Sequence, residues 1–343
     1  MALDQKVTLI FDYDLTLTEN WQQVPYIEKH FDKLQKEYNG KIININNKTV
    51  EIKLKKPSDY FKLSDLWAEP HNGVGYVMQM LYDAKKGIFD DFNEKTLKEY
   101  GAKVKLSPGL PEFFKALRDR WKDKCKIDFF IVSVGLIPLI EGSAIAQSGQ
   151  INDIFATNLF ELDNFWNKIN SKRFDSIRDV VSPFNKTAYA IEIAKGSRRN
   201  LNRIMPHRDY AVDYRNIVVF GDGSSDISQF AYLRRKGSRI IGVYKNNSVE
   251  AYDKIRTNKL IQDRCNAILP RNYKVGSNLW NYVNRIIESI INRNCDFDPE
   301  LIDMYRKRKI RSKEVMNLVQ KHVGNCLYCD QLTDLKIIPP DTE

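Results

Sequence analysis

The chain has 343 residues, 43% of them hydrophobic, including 17 Phe, 17 Tyr and 5 Trp. That composition supplies a real core and excludes disorder as a description of the whole chain. A net charge of +10, from 54 Lys and Arg against 44 Asp and Glu, favours anionic ligands without choosing among them.

The first residues, MALDQKVTLIFDYD, carry Asp4, Asp12 and Asp14 where a signal peptide keeps its centre apolar. No apolar run reaches the roughly 18 residues of a membrane helix. A soluble, cytoplasmic protein with no membrane partner is therefore expected. The cysteines at 125, 265, 295, 326 and 329 are an odd and scattered set. Such a set fits reduced thiols better than a disulfide framework.

Taken in order, KVTLIF (6–11) is a short β-branched run that stops at Asp12 and reads as a buried strand. KIDFFIVSV (126–134), NIVVF (216–220) and SRIIGVY (238–244) read the same way. Helical patterns separate them at 108–121, 138–148, 183–196 and 248–255, and a last helix is expected at about 276–292. Strands alternating with helices predict an α/β fold, a doubly wound and mostly parallel sheet. Its site lies beyond the carboxyl ends of the strands.

Two stretches leave that alternation. Residues 19–103 are expected to form a mainly helical cap domain, with a β-hairpin in KIININNKTVEIKL (41–54) turning at Asn46-Asn47-Lys48. Residues 293–343 are expected to be a helical C-terminal extension. The catalytic core is then 1–18 plus 104–292, and its sheet is complete before residue 293.

Chemistry concentrates at four places, each at a strand end or a helix start. Asp12 and Asp14, one residue apart after the first strand, can project into one site, where one attacks and the other handles a proton. Ser133 ends the second strand. Lys186 opens a helix whose N-terminal amides already favour an anion. Gly221-Asp222-Gly223-Ser224-Ser225-Asp226 adds two carboxylates after the third strand. Carboxylates of this kind hold Mg²⁺, and a lysine with a metal offsets the repulsion they exert on a phosphate. Each feature alone is weak: acidic pairs cap helices, and a lone lysine or serine is commonly a solvated residue. Their order along the chain carries the reading.

These motifs, DYDLT (12–16), Ser133 in IVSVG, Lys186 in NKT and GDGSSD (221–226), resemble those of the haloacid dehalogenase superfamily, in the branch similar to phosphoserine phosphatases. The resemblance implies a Mg²⁺-dependent phosphomonoesterase acting through a covalent aspartyl-phosphate on a small phosphorylated metabolite. It implies that Asp12 attacks phosphorus and that Asp14 protonates the leaving group, then activates water. Ser133 and Lys186 would bind the phosphoryl group. Asp12, the backbone carbonyl of Asp14, and Asp222 would bind the metal, with Thr16, Gly135 and Asp226 in support. Ser225 stands where the branch commonly has Asn. The Glu with which that branch reads an amino acid is unmatched, Trp21 falling near its place, so phosphoserine is not carried over as substrate.

A phosphotransferase, or a phosphatase of nucleic acid or another large anion, is the alternative on the same core. The alternative from another class is a non-catalytic interaction protein using the basic tail. RKRKIRSK (306–313) reads as a solvated helix face rather than a nucleic-acid footprint, so nucleic acid is the less favoured partner. Cys326 and Cys329, with His322 before them and Cys295 across the tail, have zinc-like spacing, but a plain pair of half-buried thiols is the simpler reading. Trp21, Tyr26, Trp67, His71 and Tyr76 in the cap read as core aromatics. Oligomeric state is not legible.

Overall fold

Alternation of side chains along one strand builds both faces of the molecule. In β1 (Lys6–Phe11), Val7, Leu9 and Phe11 enter one apolar cluster while Ile10 enters another, and all four are fully buried. Only a strand covered on both sides buries a continuous apolar run in this way. Each such side chain contributes about 1.5–3 kcal/mol of burial. The computed structural model describes residues 5–45, 48–68, 73–167, 173–223, 225–293, 298–326, 329 and 336–339.

The remaining strands are β2 (Ile42–Ile45), β3 (Lys48–Glu51), β4 (Lys126–Leu136), β5 (Asp153–Phe160), β6 (Ser176–Asp179), β7 (Ile217–Gly221), β8 (Arg239–Tyr244), β9 (Ala267–Pro270) and β10 (Lys336–Ile337). The main sheet runs β10-β9-β8-β7-β1-β4-β5-β6. Its pairs are parallel except β5 with β6, so the architecture is the expected α/β one. The chain starts in the middle of the sheet and winds outward both ways, which places the strand-order reversal beside β1.

In chain order the helices begin with α1 (Val24–Lys29), α2 (Phe31–Tyr38), α3 (Phe61–Asp65), α4 (Gly75–Lys85) and α5 (Glu94–Gly101). Next come α6 (Glu112–Trp121), α7 (Ile137–Gly142), α8 (Ala144–Gln147), α9 (Leu162–Asn167), α10 (Lys186–Lys195) and α11 (Ile227–Arg235). The last are α12 (Val249–Thr257), α13 (Lys259–Gln262), α14 (Asn278–Ile291), α15 (Pro299–Arg306) and α16 (Lys313–Val323). Helices α6 and α14 cover one face of the sheet through Phe113, Phe114, Leu117, Leu279, Val283 and Ile287. Helices α10 and α11 cover the other through Ala190, Ile193, Phe230 and Leu233.

Helices α1–α5 and the antiparallel hairpin β2–β3 occupy the stretch expected to be a cap, and Asn46-Asn47 at its turn lie outside the described residues. Their apolar faces form a third cluster around Tyr26, Tyr60, Met80, Phe89 and Phe92. Leu136, Leu139, Leu159 and Phe174 join it, so this packing unit draws on residues well past 103. Inside it the buried Asp83 carboxylate accepts hydrogen bonds from Tyr38, from Tyr60 at 2.7 Å and from Gln79 at 3.1 Å. A buried charge needs that many donors to be tolerated.

The tail differs from the expectation in two ways. It is helical over α15 and α16, but it ends in β10, which adds an edge strand to the sheet, so the sheet is not complete before residue 293. Ile302, Val319, Val323 and Cys329 are buried in the same cluster as β1 and α14. RKRKIRSK is not a helix face either. Residues 307–312 of it form the connection between α15 and α16, where Arg308 takes a left-handed φ of 53°. Arg306 turns inward and donates to the carbonyls of Gln262, Asp263 and Cys265 at the end of α13, and Lys307 pairs with Asp303 at 2.6 Å.

Candidate active site

Register brings the motif residues together. Phe11 pairs with Ile131 of β4 on one side and with Phe220 of β7 on the other. The residues that follow each partner, Asp12, the Ser133 segment and Asp222, therefore leave the sheet at the same edge. After Val132 the β4–β5 ladder is irregular and resumes at Leu136. Such a bulge re-aims the intervening side chains. Here it turns Ser133 back on its own loop, where its Oγ accepts from the Gly135 N–H at 3.0 Å.

Lys186 is the first residue of α10, and the turn before it is clamped by Asn185. That side chain accepts from the Ser182 N–H at 2.7 Å and donates to the Val180 carbonyl at 2.9 Å. The clamp drives the Lys186 side chain beneath the strand ends, where it is fully buried. Its Nζ lies 2.8 Å from Asp12 Oδ1, 2.7 Å from Asp226 Oδ1 and 3.0 Å from Ser225 Oγ. Burial alone would push the ammonium pKa down, but Asp12 and Asp226 outweigh it and hold it above its ordinary value. For Asp12 burial dominates and raises the carboxyl well above its usual range, with Lys186 opposing and Asp226 and Asp222 adding to the rise.

Asp14 is held differently. Its two oxygens accept from the Gln22 backbone N–H at 2.6 Å and from Gln22 Nε2 at 3.0 Å. Gln22 Oε1 in turn accepts from the Leu136 N–H at 3.2 Å, tying the carboxylate to the β4 loop. Burial pushes the Asp14 carboxyl up to about 6, with the Gln22 bonds pulling the other way. The bend that allows this passes through Leu15, whose φ of 58° is left-handed. Such a backbone is held by its surroundings, here by the Arg271 guanidinium donating to the Leu15 carbonyl at 2.6 Å and to that of Glu19 at 3.1 Å.

The carboxylates of Asp12, Asp222 and Asp226 each offer an oxygen within 4.8 Å of the others. An all-oxygen acidic set suits a hard divalent cation such as Mg²⁺, so these residues fit the metal that the motifs imply. A cavity of about 450 Å³ opens over Asp12 and Asp222. Asp12, Asp14, Ser133, Gly135, Asp222 and Ser225 form its floor, and Trp21, Phe61, Lys62 and Tyr76 form its cap side. A larger cavity of about 590 Å³, bounded by Glu94, Glu141, Glu161 and Arg178, holds none of the motif residues.

All the expected site residues except Thr16 converge here. Thr16 packs behind the loop: its carbonyl accepts from Tyr273 Oη at 3.1 Å, and its buried hydroxyl has no partner among the described residues. Ser224 lies outside the described residues, as do His71 and Cys295. Two cap aromatics read as core line the cavity: Trp21, which is 41% exposed, and Tyr76, which also packs against the cap cluster and donates its Oη to the Val134 carbonyl at 2.8 Å. Tyr26 is core as expected, whereas Trp67 is 53% exposed. Gln22 and Arg271 were missed. Gln22 carries no ionisable group, and Arg271 acts on Leu15 and Glu19 from the far end of the chain, so no local signal marks them.

No family profile matches the chain. It is 26% identical over 294 residues, 81% of its own length and 95% of that of the relative, to an uncharacterized protein of Borreliella burgdorferi. Among solved structures it is similar to a phosphoserine phosphatase in apo form, with a TM-score of 0.45 and 13% identity over 79% of this chain and 96% of that one. It is similar also to cytosolic 5'-nucleotidase IIIB bound to cytidine, with a TM-score of 0.45 and 16% identity over 84% and 85%.

Proposed function

We propose that the chain is a Mg²⁺-dependent phosphomonoesterase that forms an aspartyl-phosphate on Asp12 and acts on a small phosphorylated metabolite. One observation carries the reading: Asp12, which lines a cavity together with Asp14, Ser133 and Asp222, is held by a fully buried lysine that also binds Asp226. Structural ion pairs do not need a nucleophile, a second acid and a hydroxyl around one open space. Four motifs in family order support the same reading.

In this account an Asp12 oxygen attacks phosphorus while the P–O bond to the leaving group breaks. Asp14, whose burial keeps a proton on it up to about pH 6, supplies that proton to the departing oxygen. Water then attacks the phosphorus of the acyl-phosphate, Asp14 takes its proton, and Asp12 is restored with release of inorganic phosphate. Lys186 and the Ser133 hydroxyl hold the phosphoryl oxygens, and Gln22 keeps Asp14 on line. Asp12, Asp222 and Asp226, together with the Asp14 carbonyl, would hold Mg²⁺, which when bound supplies charge neutralisation to the phosphoryl group. The cavity volume fits a small metabolite, with Trp21, Phe61 and Tyr76 offering apolar contact.

Turnover of p-nitrophenyl phosphate by purified protein, with Mg²⁺ and with excess chelator, tests the reading. Hydrolysis that requires Mg²⁺ is expected. Full activity in chelator removes the metal from the account, and no activity on any of a panel of phosphate monoesters removes the phosphatase.

A further inference from the structure

One chemistry-bearing cluster has no part in that reaction. His322 lies in the last turn of α16, and the chain past Gly324 brings Cys326 and Cys329 back against it. His322 Nε2 is 3.2 Å from Cys329 Sγ, and one donor atom from each of the three residues lies within 4.8 Å of the others. Zinc bonds of about 2.3 Å to sulfur and about 2.0–2.1 Å to nitrogen set tetrahedral donors about 3.5–3.8 Å apart. Donors within 4.8 Å of one another need only small side-chain movements to close on an ion.

The donor types also select the ion. Two thiols and an imidazole are soft and borderline ligands that favour zinc over magnesium, opposite in character to the all-carboxylate cluster under Lys186. Both cysteines are free thiols, not a disulfide. Cys329 is buried in the core cluster beside Val319 and Val323, yet its sulfur faces the imidazole rather than apolar neighbours alone. A thiol pair packed only for bulk does not need a third donor converging on it.

We propose that His322, Cys326 and Cys329 hold a structural zinc ion, with a fourth ligand completing the tetrahedron, and that the ion fastens the tail to the sheet. β10 begins a few residues beyond Cys329 and pairs over only two residues. Its hydrogen bonds among the described residues include the Lys336 N–H to the Asn266 carbonyl at 3.0 Å, the Ile338 N–H to the Ile268 carbonyl at 3.0 Å, and Tyr244 Oη to the Ile338 carbonyl at 2.7 Å. So short a strand gains little by itself. An anchor just before it shortens the loop whose closure opposes docking.

The test uses full-length protein without a histidine tag. Elemental analysis is expected to find one zinc per chain, and the double variant Cys326→Ser, Cys329→Ser to lose it. Replacing zinc by Co²⁺ in the parent protein is expected to give the intense visible bands and thiolate charge transfer of a tetrahedral site. Stripping the metal is expected to speed amide exchange at Lys336 and Ile338 while leaving β1 protected. If the double variant does not fold, metal content and the cobalt spectrum of the parent decide alone. Folded protein with reduced thiols and no stoichiometric metal overturns the proposal. So does a disulfide between Cys326 and Cys329, or zinc that persists in the double variant.

Discussion

Replacing Lys186 with Met keeps most of the side-chain volume and deletes its charge, which isolates the electrostatics of the site. The ammonium sits 2.8 Å from Asp12 and 2.7 Å from Asp226, and all three groups are buried. At an effective dielectric of about 20 each contact is worth about 6 kcal/mol of gross attraction. Desolvation offsets much of that, and removing one partner of a buried pair nets a loss of about 3–5 kcal/mol. Asp222 lies in the same cluster, so the variant leaves three carboxylates converging without the Lys186 charge.

Urea unfolding of metal-free Lys186→Met should therefore show a loss of about 3–5 kcal/mol at neutral pH. The pH dependence has a definite sign. Burial already raises Asp12 above its ordinary 3.8, and losing Lys186 raises it further. A carboxyl with a raised folded pKa favours the native state below its unfolded pKa and loses that contribution as pH rises through the folded value. The deficit against the parent should thus shrink on acidification from about pH 8 towards about pH 4, and Mg²⁺ should reduce it at neutral pH by restoring positive charge. Equal stability of variant and parent in neutral, metal-free buffer would refute this reasoning, as would a deficit that does not change with pH.

Asp14→Asn should lower turnover of an alkyl phosphate by about 10²–10⁴-fold and that of p-nitrophenyl phosphate much less, because only the alkyl leaving group needs the proton; steady-state rates on the two esters check it. Gly135→Ala should fold normally yet lose activity on alkyl esters. A Cβ there would come within 1.7 Å of Gln22 Nε2, forcing away the side chain that holds Asp14, which comparison of circular dichroism with kcat tests. Ending the chain after Arg293 should destabilise the whole protein rather than spare its core. It strips Ile302, Val319 and Val323 from the cluster containing β1, at about 1.5–3 kcal/mol for each buried side chain, and thermal unfolding of the soluble fraction measures the loss.

Local pattern determined what could be read from the residues. KVTLIF is β1 to the residue, and the runs at 126–134, 216–220 and 238–244 are β4, β7 and β8, because each is apolar enough to be buried on both faces. β5, β6, β9 and β10 were not read. Asp153 opens β5 and Asn158 interrupts it, SIRD in β6 is a polar edge, and AILP and KI are too short to show a period. β10 also owes its existence to a tertiary partner, β9, rather than to propensity. In the site, Asp12, Asp14, Ser133, Lys186 and the GDGSSD loop were legible because reactive residue types recur at strand ends. Gln22 was not, since its role rests on the bulge in β4 that brings Leu136 within its reach. The cavity faces of Trp21 and Tyr76 were not legible either, because aromatic spacing does not say which side of a cap faces a cavity.

The most direct measurement of the central claim is chemical trapping of the intermediate. Protein mixed with a phosphate monoester and Mg²⁺ is quenched rapidly, reduced with borohydride and mapped by peptide mass spectrometry. An acyl-phosphate on Asp12 reduces to the alcohol, so the peptide spanning β1 and Asp12 should carry a homoserine side chain at that position, and only when ester and Mg²⁺ are both present. Active enzyme whose Asp12 remains a carboxylate under these conditions, or reduction found at a different residue, would contradict the assignment of Asp12 as the nucleophile.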